Sequence, residues 1–125
     1  MREVSGNSLK GKTIVLYFWN GLDQQSRVRL LPLQQIYDKY SANGVNVLGM
    51  NVSDKNKEHL NKLLQKKKIT FPQLTDAANT GEKYNLLDIP TIYVIGKNGK
   101  IIEGFVPAVK ENLEQKLEKL IIRNQ

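Results

Sequence analysis

The sequence predicts an α/β domain: a mixed central sheet of about four strands, flanked by helices on both faces. Three observations carry that prediction. Apolar, β-branched runs at Thr13 to Trp19 and Val45 to Val52 stand on either side of a segment with helical periodicity, the pattern of a parallel βαβ unit. Thr91 to Ile95 and Ile101 to Val106 bracket Lys97-Asn98-Gly99-Lys100, and Asn-Gly between two apolar runs signals a hairpin. The last segment, Val109 to Ile122, sets Val109, Leu113, Leu117, Leu120 and Ile121 on one face, as a terminal amphipathic helix does.

Each element has a local cause. The first strand is continuously apolar and has the length of a buried parallel strand, with Gly11 before it and Asn20-Gly21 after it. Gln24 to Ser41 predicts one helix. Leu30, Leu31, Leu33, Ile36, Tyr37 and Tyr40 form its stripe, and Asp23 stands at the N-cap. Pro32 falls inside the pattern and predicts a kink. Asn43-Gly44 ends the helix. A basic helix over Lys55 to Lys67 carries Leu60, Leu63 and Leu64 on its apolar side. Phe71-Pro72 and Asp76 break the chain before a short turn or helix near Ala77 to Tyr84.

The 125 residues suit one domain over 1–125 with its own core. No apolar run of about 18 residues is present, so no transmembrane segment is expected. The opening from Met1 to Gly6 lacks the apolar stretch of a signal peptide. The chain has no cysteine, which removes disulfides, thiolate metal ligands and thiol nucleophiles together. Its one histidine, His59, falls on a different predicted helix from Ser26, so a serine nucleophile has no base. One histidine without cysteine does not make a transition-metal site, and no cofactor is expected. Asp76 and Asp88 read as turn formers.

The formal net charge is +7, which suits nucleic acid, anionic lipid or acidic partners, or solubility alone. The segment Lys55 to Lys68 has no interleaved aromatics and accompanies no nucleic-acid motif. A solvated helix face is the better reading, with weak binding to an anionic surface as the alternative and no nucleic acid as partner.

Specific words narrow the fold. Ser8-Leu9-Lys10-Gly11-Lys12 runs into Val15-Leu16-Tyr17-Phe18-Trp19, and Tyr37-Asp38-Lys39-Tyr40 and Gly44-Val45-Asn46-Val47-Leu48-Gly49 follow. Ile69-Thr70-Phe71-Pro72 comes next, then Ile89-Pro90-Thr91 and Asn98-Gly99-Lys100. In these words, in order from Ser8 to Phe105, the chain resembles the TlpA/ResA-like thiol–disulfide oxidoreductases, which have the thioredoxin fold within the AhpC/TSA superfamily. The resemblance implies a thioredoxin-like fold, a cis peptide bond at Pro90 and an extracytoplasmic location in the periplasm or cell envelope. It also places the family's Cys-x-x-Cys at Asp23 and Ser26. Leu22 stands where a tryptophan usually precedes the first cysteine, and Arg29 where the family often carries a buried glutamate. Pro32 comes one residue later than the family's helix proline. The family usually has a hairpin ahead of Lys10, and only a short remnant precedes it here, which suits one domain of a longer parent chain.

Disulfide exchange needs a thiolate, and neither Asp23 nor Ser26 supplies one. The expected function is therefore that of a redox-inactive binding or structural module. Trp19, Leu22, Ile89 and Pro90 are expected to form an apolar lip around Asp23, a groove for an extended peptide or protein segment. The family resemblance implies that the residue before the cis-proline pairs its main chain with such a segment. The plainer readings are that Asp23 is only a helix cap and that Pro90 serves folding alone. The alternative to a binding module is a cysteine-substituted oxidoreductase, against which Leu22, Arg29 and the shifted Pro32 argue. Neither the partner's identity nor the oligomeric state is written in the sequence.

Overall fold

β1 (Thr13–Trp19) forms the centre of the sheet. Its residues from Val15 to Trp19 are buried on both sides, as a strand with neighbours and cover on each face requires. In the computed structural model, which describes residues 11–21, 23–51, 57–74, 89–108 and 111–124, β1 is followed by α1 (Gln24–Arg27), α2 (Leu30–Tyr40) and a 3-10 turn at Ser41–Asn43. Then come β2 (Val45–Asn51), α3 (Lys57–Lys66), β3 (Gln73–Leu74), β4 (Thr91–Ile95), β5 (Ile101–Phe105) and α4 (Leu113–Arg123). The predicted turn or helix near residues 77–84, with Asp76 and Asp88, lies outside the described residues.

The sheet order is β3-β2-β1-β4-β5. β1 and β2 are parallel, from Thr13 opposite Val45 to Trp19 opposite Asn51. β4 is antiparallel to β1, with Phe18 opposite Thr91, and the hairpin brings β5 to the edge. Val15, Tyr17 and Trp19 on one face join Leu30, Leu33 and Ile36 of α2 with Leu117 and Ile121 of α4. Leu16 and Phe18 on the other face join Leu48, Met50 and Ile95. Among the described residues no helix is long and apolar enough to cross a membrane.

Three expectations are corrected. The sheet has five strands rather than about four. β3 is only two residues long and follows Pro72, so no alternation could mark it. It is held by Gly49 N–H donating to the Pro72 carbonyl at 2.9 Å. The single kinked helix over Gln24 to Ser41 is two helices, parted at Val28–Arg29. Pro32 explains the break, because its ring excludes the carbonyl four residues earlier, that of Val28. In α2 it falls in the first turn, where no N–H is needed. Within α2, Leu31 lies on the side of the helix opposite Leu33 and Ile36, so although expected on the apolar stripe it is 58% exposed. The last helix begins at Leu113 rather than Val109, capped by Asn112, whose Oδ1 accepts from Gln115 N–H.

A buried amide ties α2 to the loop before β3. Gln34 Oε1 accepts from the N–H groups of Thr70 (2.8 Å) and Phe71 (3.3 Å). Its Nε2 donates to Thr70 Oγ1 and Asp38 Oδ1. Removing the amide leaves backbone donors unpaired, at about 1–3 kcal/mol for each buried group. Gln34→Ala is expected to lower stability by about 2–3 kcal/mol, read from the midpoint of chemical denaturation. A loss under roughly 0.5 kcal/mol would show that water replaces these bonds.

Candidate functional site

The end of β1, the turn after it and the start of β4 meet at one end of the sheet. Because Phe18 faces Thr91, continuing the register sets Pro90 beside Trp19 and Ile89 near Asn20. The Ile89–Pro90 peptide bond is cis, as expected from the sequence. Pro90 is buried, and Ile89 is half-buried against the cluster that holds Phe18 and Met50.

Asp23 caps α1 from an extended backbone conformation (φ −100°, ψ 124°). Its carboxylate accepts from Gln25 N–H at 3.4 Å and Ser26 N–H at 3.2 Å. Ser26 is fully buried. Its hydroxyl donates to Asp23 Oδ2 at 3.2 Å and accepts from Asn20 N–H at 3.1 Å. The two positions therefore do converge, and a carboxylate and a hydroxyl are bonded to each other across them. The Ser26 carbonyl accepts the Tyr17 hydroxyl at 2.6 Å. Burial pushes the Tyr17 phenol far above its ordinary range and Asp23 adds to the rise, while Arg29 pulls the other way. Tyr17 thus stays protonated and serves as a donor.

Arg29, in the break between α1 and α2, is 6% exposed. Its Nη1 donates to the Gln25 carbonyl and to Gln25 Oε1, and its Nη2 donates to the Pro107 carbonyl at 3.1 Å. A buried cation here is held by carbonyl oxygens, and it fastens the loop after β5 to the site.

Trp19 is corrected as a lip residue, since it is fully buried. It shares a strand face with Val15 and Tyr17, so it points into the core, with its ring stacked on Tyr17 at 6.3 Å. Its Nε1 donates to Gln73 Oε1 at 3.1 Å. Gly49 makes room for that amide, because a Cβ there would lie 2.3 Å from Gln73 Oε1. Leu22 lies outside the described residues. His59 is exposed on α3, and Ser26 is fully buried. Among the described residues at this end of the sheet, the exposed large apolar side chains are Val28 at 50%, Leu31, and Val106 at 52% on the loop that Arg29 holds. Sequence reading missed Val28 and Val106, and no local signal marks them.

Comparison with known proteins bears on the fold and the family. The thiol-disulfide oxidoreductase ResA of Geobacillus thermodenitrificans is 29% identical over 123 residues, covering 95% of this chain and 69% of that protein. The thioredoxin-like protein YneN of Bacillus subtilis is 27% identical over 112 residues, covering 87% of this chain and 65% of its own length. Among solved structures, StoA from Bacillus subtilis superposes with a TM-score of 0.76 at 22% identity, over 90% of this chain and 84% of that one. The thioredoxin domain of a thiol-disulfide oxidoreductase from Bacteroides vulgatus gives 0.80 at 24% identity, over 94% and 85%. These two structures establish the thioredoxin-like fold. The family model described as the AhpC/TSA family matches residues 1–103, and the chain belongs to that family.

Proposed function

We propose that the Asp23 end binds an extended peptide or protein segment without thiol–disulfide exchange, and that the protein is a redox-inactive, extracytoplasmic relative of the TlpA/ResA-like oxidoreductases. The observation that carries this reading is the Asp23–Ser26 pair. Where exchange needs two sulfurs, this chain has a carboxylate and a hydroxyl bonded to each other and to the turn's N–H groups. The Asn20 N–H also bonds to the Ser26 hydroxyl. Beside them, Ile89 and the cis Pro90 keep the position from which a partner's main chain can be met, and Val28 and Leu31 add exposed apolar surface.

Apolar contact supplies the affinity, at about 25 cal/mol per Å2 removed from water less the cost of ordering. Asp23 is half-exposed, so a basic partner residue there adds only about 0.2–1 kcal/mol. Against simple cysteine substitution stands Arg29, whose pocket of carbonyl oxygens is arranged for a cation.

The test has two arms. In an insulin-reduction assay the protein should give no turnover above the blank, and any reproducible excess would refute the redox part. In chemical-shift mapping with a peptide library, shifts should gather at Asp23, Val28 and Ile89, and Ile89→Asp should weaken binding about tenfold or more. Shifts confined to α3 would instead make the basic helix the working surface.

A further inference from the structure

The fold sorts the exposed charges into two halves. β1 and β2 run toward Asp23, so the residues entering β1, the 3-10 turn and the β4–β5 hairpin all lie in the opposite half. α2 runs into that half as the crossover between parallel strands. α4 runs the same way: β5 brings the chain to the Asp23 end, where Arg29 holds Pro107, and further along α4 Glu118 pairs with Lys39 at the end of α2 at 2.6 Å. The carboxyl-terminal end of α3 also points away from Asp23, because α3 returns from the end of β2 to the start of β3.

Segments far apart in sequence thereby bring exposed cations together. The turn before β1 gives Lys12 and the hairpin gives Lys97 and Lys100. The end of α3 gives Lys66, Lys67 and Lys68, and the end of α4 gives Arg123. The described acids of that half are Asp38, Glu103 and Glu118, and they are engaged by Gln34, Lys116 and Lys39 respectively. Two large apolar side chains stand exposed among these cations, Ile101 at 50% and Ile122 at 63%. Exposed lysines with interspersed isoleucines and, among the described residues, no exposed aromatic ring suit a lipid interface, where cations meet headgroups and apolar side chains enter the acyl boundary. Nucleic acid would call for stacking rings or a groove that tracks phosphates.

We propose that this half of the molecule docks on an anionic phospholipid bilayer, with its lysines at headgroup level, Ile101 and Ile122 in the interface, and the Asp23 end turned to solvent. The docking is independent of what the Asp23 end binds.

Vesicle co-sedimentation tests it. The protein should sediment with phosphatidylglycerol-containing vesicles at low salt and stay in solution with pure phosphatidylcholine. Added salt should release it, as the Debye length falls from about 10 Å at 0.1 M to about 3 Å at 1 M. Each lysine at such a surface raises partitioning about fivefold, so Lys66→Gln/Lys67→Gln/Lys68→Gln should lower it on the order of 100-fold with unchanged circular dichroism. Because the chain has no cysteine, one introduced cysteine carries a fluorophore uniquely. A label at Ala42→Cys, exposed in the 3-10 turn, should shift to the blue on vesicles, and one at Gln24→Cys, exposed on α1, should not. The proposal is overturned by equal binding to neutral vesicles, by no binding to anionic ones, or by parental binding of the triple variant. A blue shift at position 24 alone overturns it too, as does a DNA oligonucleotide bound at salt that abolishes vesicle binding.

Discussion

Asp23→Cys combined with Ser26→Cys is expected to yield a protein that closes an intramolecular disulfide and gains turnover in insulin reduction. The two native side chains already meet, with Ser26 Oγ 3.2 Å from Asp23 Oδ2. A disulfide needs Cβ atoms about 3.5–4.5 Å apart, which side chains converging on one turn can reach. The environments also differ in the useful sense. Position 26 is fully buried and position 23 is half-exposed, so the cysteine at 23 would be the attacking thiolate and that at 26 the resolving one. The N–H groups of Gln25 and Ser26, now bonded to Asp23, would face that thiolate and hold it below the ordinary value of about 8.5. The exchange has a cost. Losing the carboxylate cap removes about 0.5–2 kcal/mol, and Asn20 N–H trades an oxygen acceptor for a weaker sulfur. Intact mass after alkylation, with and without oxidant, reads the outcome. A folded double variant that never oxidises would show that Asp23 and Ser26 do not stand at the family's cysteine positions.

The place of the site was legible because the words flanking it are short-range. The strand Val15 to Trp19, the helix end at Tyr37 to Tyr40 and the Ile89-Pro90-Thr91 turn each carry their own pattern, and the site lies at a fixed count from them. The cap was legible for the same reason, since among the described residues the Asp23 carboxylate bonds within its own turn. What stayed hidden depends on residues far apart in the chain. Trp19 read as a lip residue, yet its Nε1 finds Gln73, 54 positions away. β3 exists only because Gln73 and Leu74 lie against Gly49 and Met50, and two residues alone have no period. Arg29 looked anomalous in sequence because its partner Pro107 is 78 positions distant. Leu31 failed for a different reason: at 3.6 residues per turn it projects from the side of α2 opposite Leu33 and Ile36, so it never shared their stripe.

Arg29→Glu should be the most damaging single substitution at this end, at about 3–5 kcal/mol. The guanidinium is buried, and its hydrogen-bonding partners are oxygens: the Gln25 and Pro107 carbonyls and Gln25 Oε1. A carboxylate there would face acceptors with no donor of its own, and the Pro107 carbonyl would lose its partner. Arg29→Met keeps most of the volume without placing a charge and should cost only about 1–2 kcal/mol, the loss of the hydrogen bonds. At roughly 3–6 °C per kcal/mol for a domain of this size, the two variants should melt clearly apart. The pH dependence separates charge from shape. A buried glutamate among carbonyls has its folded pKa raised above the unfolded value. Its destabilisation is then present at neutral pH and fades as the pH falls toward about 5, where the carboxyl protonates and becomes a donor. Arg29→Met has no group to titrate there, so its deficit should stay constant over the same range. Equal losses in the two variants, or a deficit in Arg29→Glu that does not shrink on acidification, would mean that the pocket tolerates an anion and that its carbonyl oxygens do not select for the arginine.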